Sequence, residues 1–287
     1  MAFSCLFTAF STKAQLYSLH VADSLEKKGM YRAAATEFER AYFFSGSSAE
    51  KVSALFSRTG CFKQLGQYYE AYSTLARIKN FDVSDSLKCA ANYQLALYLY
   101  LSGYFNDAEK YCARNYSIPV NTEDFKNTLL LHSLILNELH QYPSASGKAI
   151  EYIQSLSIPS AQKDSLSVFV HASYNASHLP RLKSLKKARR LSKVIPGAGL
   201  FYAGKPGRAM ANIGFQLLAA GYTATNVYVG NYITAASAGL FLMRSFYTGG
   251  INQLNEEVPE INYRRARKFN DNFKSSFITQ IKTHNEL

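Results

Sequence analysis

Tryptophan is absent from this chain, cysteine and proline are sparse, and acidic residues run short in its last third. Each shortage excludes something. Four cysteines in 287 residues cannot supply a disulfide-dense scaffold. Cys5, Cys61, Cys89 and Cys112 show no C-x-x-C and no regular spacing, so neither a metal site nor a redox pair is expected. Seven prolines and sixteen glycines exclude collagen-like and linker-like chains. The six histidines (20, 132, 140, 171, 178, 284) form no H-x-x-x-H pair, and no G-x-S-x-G elbow is present. Gly199-x-x-x-x-Gly204-Lys205 has the outline of a phosphate loop. However, Pro206 stands where Ser or Thr would hold Mg²⁺, and no strand precedes it. No catalytic constellation and no cofactor site emerges, so an enzyme is not expected.

What is present argues for a folded chain. Hydrophobic residues make up 47%, with 21 Tyr and 19 Phe. The length suits one large domain or two small ones. The formal net charge is +12, unevenly placed. Residues 1–178 carry 16 Lys/Arg against 15 Asp/Glu, and residues 179–287 carry 16 against 5. The break near 179 is a domain-boundary signal. A basic rear implies an anionic partner, lipid headgroups or nucleic acid. At the start, residues 1–14 (MAFSCLFTAFSTKA) read as a short secretory leader cut after Ala14, or as an N-terminal helix segment, since no Lys or Arg precedes the apolar run.

The front half repeats itself. Gly29-x-Tyr31-x-x-Ala34-x-x-x-Phe38-x-x-Ala41 is followed by Gly66-x-Tyr68-x-x-Ala71-x-x-x-Leu75. Gly103-x-Phe105-x-x-Ala108-x-x-x-Cys112 comes next, then His140-x-Tyr142-x-x-Ala145-x-x-x-Ala149. Each step is 37 residues. The glycine or histidine suits a tight turn, the aromatic opens a second helix, and the alanine lets two helices approach. Apolar stretches of helical period lie upstream of each turn, at Leu16–Lys28, Val52–Leu65, Leu87–Ser102 and Phe125–Leu139. Ser47-x-x-Glu50 reads as a capping box, and Pro119 and Pro159 fall in loops.

On these residues the segment 16–156 resembles the tetratricopeptide repeat family. Its unit is longer than the family's usual one of about 34 residues. The resemblance implies a solenoid of helical hairpins over 15–178, with 160–178 as a capping helix. It also implies a concave groove that binds a protein or peptide partner, or else a spacer role. Tyr93, Tyr98 and Tyr100 fit either the groove or the core.

Residues 179–208 form a basic connector. In RLKSLKKARRLSK (181–193), Leu182, Leu185, Ala188 and Leu191 recur every three residues. Lys183, Lys186, Lys187, Arg189 and Arg190 between them are lipid-headgroup candidates. From Ala209 to Met243 there is no charged residue, a run of 35 that splits at Val229-Gly230-Asn231. Residues 209–229 as a helix measure about 31 Å, against a hydrocarbon core of about 30 Å. Small residues abound and would let two helices pack in lipid. Asn212, Gln216 and Asn226 dilute the signal, and Arg244 needs to snorkel or find a partner. A transmembrane hairpin over 209–250, a re-entrant one and a soluble buried one all remain open. Residues 251–287 read as a separate polar helix with Tyr263, Ala266, Phe269 and Phe273 on one face.

Pro196, Gly197, Gly199, Tyr202 and Gly204, followed by Tyr247, Gly250 and Asn252, resemble a bacterial membrane-protein domain of the form P-G-x-G-x-x-Y-x-G with two transmembrane helices. The resemblance implies membrane location, with Phe201 and Tyr202 at headgroup depth. Because the basic residues flank an uncharged run, a nucleic-acid partner is not expected. The basic flanks on both sides place both in the cytoplasm, whereas a leader would export the repeats. The repeats are placed on the periplasmic side of a bacterial inner membrane.

Together these features predict an all-α protein: a tetratricopeptide-like helical-hairpin solenoid followed by a C-terminal membrane hairpin. The expected role is a non-enzymatic, membrane-anchored scaffold. A soluble scaffold with a buried hairpin, and an accessory subunit of a membrane enzyme or transport machine, are the alternatives. Oligomeric state and partner identity are not legible.

Overall fold

The computed structural model describes residues 17–119 and 122–285, and among them every regular element is helical. Residues 1–14, read above as a leader, lie outside the described residues. The chain divides into two compact units. One is Met1–Tyr174 with Phe277–Leu287, and the other is Asn175–Ser276.

The first unit holds α1 (17–27), α2 (Tyr31–Phe44), α3 (Ser48–Gln64) and α4 (Tyr68–Leu75) with its 3₁₀ extension (Ala76–Asn80). Then come α5 (Asp85–Leu101), α6 (Phe105–Asn115), α7 (Glu123–Glu138), α8 (Tyr142–Ser155) and α9 (Ser160–Ser173). Helices adjacent in sequence pack together, and α5 also packs on α7.

The 37-residue period is a repeated turn. Gly29, Gly66, Gly103 and His140 sit at φ 74°, 69°, 82° and 60°, all left-handed. At each, the N–H bonds a carbonyl three residues back and the next N–H bonds one five back. Gly29 donates to Glu26 (2.8 Å) and Met30 to Leu25 (2.9 Å), while His140 donates to Asn137 (3.0 Å) and Gln141 to Leu136 (2.9 Å). This helix C-cap needs a residue with positive φ, which is why glycine recurs. The following helix opens on the predicted aromatic each time, at Tyr31, Tyr68, Phe105 and Tyr142. Ala34, Ala71, Ala108 and Ala145 are all 0% exposed, and Phe38, Ala41, Leu75, Cys112 and Ala149 are buried with them. These signature residues build the stack.

The starts of α3, α5 and α7 are capped. Ser47 Oγ accepts from Glu50 N–H and Glu50 Oε2 accepts from Ser47 N–H, both at 3.3 Å. Ser84 and Thr122 cap α5 and α7 through Leu87 and Phe125 N–H. Each such cap contributes about 1 kcal/mol. Ion pairs also tie repeats together: Glu39 of α2 accepts from Arg58 of α3 and from Arg77 of the 3₁₀ turn. Three cysteines are buried in this unit. Burial pushes the Cys61 thiol up to about 11 and Cys112 up to about 12, so both stay protonated and unreactive.

The second unit holds α10 (Leu185–Val194), α11 (Ala198–Ala203), α12 (Pro206–Tyr228), α13 (Tyr232–Thr234), a π-helical turn (Ala235–Gly239) and most of α14 (Leu240–Asn285). The sequence-based division changes here in two ways. Residues 179–208 are no linker: Ala188, Leu200 and Ala203 form a buried cluster with Ala209, Leu254 and Val258. Nor is 251–287 a separate tail, since α14 runs unbroken through it with Pro259 inside the helix. Gly249 and Gly250 lie in the helical interior, where Gly250 accommodates Asn212 instead of ending the helix.

Candidate functional site

The second unit carries the most unusual surface. α12 and the start of α14 form a hairpin whose turn, at Gly230 (φ 81°), has the same bonding as the turns of the first unit. Gly230-x-Tyr232-x-x-Ala235 is that signature again, with Ala235 buried, and a motif search confined to the front half misses it.

The seam of this hairpin is built from small side chains. Ala219, Ala235 and Gly239 are buried, and a Cβ on Gly239 would come 2.5 Å from Thr223 Oγ1. Many of the large apolar residues face outward. Leu217, Leu218, Ile233 and Phe241 are 67%, 70%, 86% and 68% exposed, and Val227 and Leu240 are exposed too, while Phe215 stacks on Phe246 across the hairpin with ring centroids 5.2 Å apart. In a water-soluble hairpin the large side chains occupy the seam, because burying a Leu or Phe contributes about 1.5–3 kcal/mol. This hairpin is arranged the other way round.

Several of its polar side chains are satisfied internally, whereas Gln216 Nε2 is buried without a hydrogen-bond partner. Thr223, Thr225 and Ser237 hydroxyls donate to the Ala219, Gly221 and Ile233 carbonyls, and Asn226 Nδ2 to the Tyr222 carbonyl, all at 2.7–2.9 Å. Asn212 Nδ2 bridges to the Phe246 carbonyl at 3.0 Å. These residues hold the mean hydropathy down: among the described residues no helix is both long and apolar enough to cross a membrane.

The P-G-x-G-x-x-Y-x-G residues form the joint at the hairpin's base. Gly197 (φ 81°) opens α11, after Pro196, and lies against the Ala209 carbonyl and Ile213. Gly199 lies so close to α10 that a Cβ would fall under 3.0 Å from the Ala188 carbonyl oxygen. Gly204 (φ 85°) caps α11, so the loop that resembles a phosphate site is a helix–helix turn. Lys205 Nζ is 2.8 Å from Glu257 Oε2, and Arg208 pairs with the other oxygen of that buried carboxylate.

Tyr202 is tied to the start of α10. Its hydroxyl accepts from Ser184 N–H at 3.1 Å, and Lys183 and Lys187 lie over its ring at 4.6 and 5.3 Å. Tyr247 donates to the Lys193 carbonyl at 3.4 Å. Arg244 and Asn252 are exposed, as is Phe201.

The five headgroup candidates separate into two groups. Lys183 and Lys187 are drawn to Tyr202, and Arg189 donates from Nε (3.1 Å) and Nη2 (2.5 Å) to Asn255 Oδ1. Lys186 and Arg190 face solvent, and Lys193, not among the candidates, joins them one turn on. The spacing of 186, 190 and 193 puts all three on one helix face.

In the first unit, Tyr98 lies in the core, and Tyr93 and Tyr100 are half-buried at its edge. Tyr98 is buried, with burial raising its hydroxyl to about 12, and Tyr93 and Tyr100 pack against the cluster around Ala96 and Leu99. A tyrosine ladder lies elsewhere: Tyr69 is 5.5 Å from Tyr104 and 5.8 Å from Tyr72, whose hydroxyl is 3.4 Å from that of Tyr111. Among the described residues no three His, Cys, Asp or Glu side chains are grouped to hold a metal ion. No family model matches this chain, and no curated protein or solved structure matches it either.

Proposed function

We propose that this chain is a non-enzymatic scaffold held in a lipid bilayer by the 206–250 hairpin. Its first unit then acts as a tetratricopeptide-like solenoid that presents a surface to a protein or peptide partner. The observation that carries the reading is the inverted hairpin: small residues in the seam, Leu217, Leu218, Ile233 and Phe241 outward, and 35 residues without a charge. Helices packed in lipid gain nothing from burying leucine between them, and they associate through small residues. The internal hydrogen bonds of Thr223, Thr225, Asn226 and Ser237 support the same reading, because lipid offers polar groups no partner. The resemblance of the segment at about 190–270 to bacterial membrane proteins supports an inner-membrane location, and the leader-like residues 1–14 favour the periplasmic side for the repeats.

A soluble scaffold is less well supported, since no described residue covers the outward leucines. Alkaline carbonate extraction of membranes from cells making the full chain tests the proposal. The unaltered chain should stay in the pellet. Leu217→Asp with Leu218→Asp should move it to the supernatant, because each Asp at a helix centre costs about 2.5–3.5 kcal/mol of insertion. Release of the unaltered chain would sink the membrane reading and make the apolar hairpin a protein-binding surface.

A further inference from the structure

The basic face of α10 forms no ion pair in its own unit. Of the four carboxylates in residues 175–276, Glu257 is taken by Lys205 and Arg208, Glu260 by Arg264, and Asp271 lies 3.5 Å from Arg267, while Glu256 is exposed and enters no ion pair among the described residues. Lys186, Arg190 and Lys193 form no ion pair among the described residues and stand in a row on one face of α10. The opposite face is fixed by Ala188 and Ser192, whose hydroxyl accepts from Gly199 N–H at 2.9 Å.

The arrangement disfavours the isolated helix. Lys186 and Lys187 occupy its first turn, where the helix dipole opposes cations, and no acidic residue offsets them. Lys186 and Arg190 are like charges four apart, which repel. An external anion relieves both strains.

The surroundings choose the anion. Val194 and Ile195, which end this helix, are 82% and 61% exposed, and Phe201 of α11 is 45% exposed. Tyr247, on the hairpin's second helix, bonds the Lys193 carbonyl, so the basic row lies where the uncharged run ends. Cations beside exposed aliphatic and aromatic side chains fit a headgroup region with acyl chains next to it. A nucleic-acid site would pair its cations with stacking rings in a polar groove.

We propose that Lys186, Arg190 and Lys193 bind the phosphates of anionic phospholipids at the base of the hairpin. This rests on the membrane reading above and deepens it. Lys183, Lys187 and Arg189 act within the fold, orienting α10 through Tyr202 and Asn255.

The test uses the full chain reconstituted into phosphatidylcholine vesicles, with spin-labelled phosphatidylglycerol or spin-labelled phosphatidylcholine as probe. Flotation reports incorporation, and the motionally restricted fraction of the spin label reports headgroup preference. Near-surface charges of this kind give roughly fivefold preference each. The unaltered chain should restrict phosphatidylglycerol at least fivefold more than phosphatidylcholine at low salt, with the ratio falling as salt rises. Lys186→Gln with Arg190→Gln and Lys193→Gln should abolish the preference at unchanged helicity. Lys186→Arg with Arg190→Lys and Lys193→Arg should keep it. A chain that floats without headgroup preference, or a triple glutamine variant that retains it, overturns this inference alone. A chain that does not float overturns the membrane reading and this inference together. Displacement of the lipid probe by a short oligonucleotide but not by anionic vesicles would reassign the row to nucleic acid.

Discussion

His140 holds a backbone angle, φ 60°, that Gly29, Gly66 and Gly103 hold at the same point of their turns. A residue with a Cβ costs about 1–2 kcal/mol there, though histidine tolerates the region better than most. Its ring nitrogen is 3.3 Å from the Tyr142 hydroxyl, a contact worth less than that strain. His140→Gly should therefore raise stability by about 1 kcal/mol, read as a higher urea midpoint at unchanged slope. The converse, Gly103→Ala, should lower it by about as much. A drop on His140→Gly would mean the Tyr142 contact outweighs the backbone strain.

His132 gives the first unit an acid sensitivity. It is 7% exposed, with Nδ1 2.7 Å from the Tyr116 hydroxyl and Nε2 buried without a hydrogen-bond partner. Burial, aided by Lys148, lowers its pKa from 6.5 to about 4. The unfolded chain then binds a proton that the folded chain refuses. Stability is fully present above pH 6.5, falls as pH drops toward about 4, and loses nothing more from this group below that. The loss is on the order of 2–3 kcal/mol. Urea midpoints between pH 7 and 4 should show it, and His132→Gln should flatten that part of the curve. Equal slopes in both proteins would remove His132 as the cause.

Among the elements, close packing at glycine separates two kinds of position. At Gly199 a Cβ would meet the backbone oxygen of Ala188, which cannot rotate away. At Gly214, inside α12, a Cβ would meet nothing within 4 Å. Gly199→Ala should cost about 1–3 kcal/mol by forcing α10 off α11. Gly214→Ala should be neutral or favourable by up to about 1 kcal/mol, since alanine is the better helix former. Thermal melts of the full chain in detergent would compare the two; equal melting temperatures would mean α10 yields freely.

The same distinction explains what was legible in the sequence. The turns were, because each needs left-handed backbone, and glycine at 29, 66 and 103 marks it in a fixed register with an aromatic and an alanine. The helix starts at Ser47 and the hairpin split at Gly230 followed from local chemistry too. Side-chain direction was not. Tyr98 and the outward Leu217 and Leu218 carry the same hydrophobic signal, yet one is buried and the others are not. Periodicity gives a face but not its neighbour. Likewise Lys183 and Lys186 look equivalent in a basic run, and only the place of Tyr202 separates them. The fusion of the second hairpin helix with the polar tail was hidden because charge changes there while helical backbone does not.

For the molecule as a whole, charge and architecture divide the chain differently. Net charge changes near residue 179, but the first compact unit takes in Phe277–Leu287 from the far end of the sequence. Phe277 is 0% exposed within that unit. Its ring stacks on Phe169 of α9 at 6.3 Å and meets Tyr152 of α8 edge-on at 6.4 Å. Ile281, one turn further on, is buried as well. The end of the repeat stack is thus closed by a segment more than 100 residues further along the chain. A chain stopped at residue 178 leaves Phe169 and Tyr152 without that cover, so it does not represent the repeat unit. Phe277→Ala should cost the first unit about 3 kcal/mol through the cavity it leaves. Amide exchange in the full chain localises the effect: protection in α8 and α9 should fall roughly 100-fold, while that in α12 stays unchanged. Unchanged exchange in α8 and α9 would show that the repeats close on themselves, and that residues 277–285 ride on a unit already complete without them.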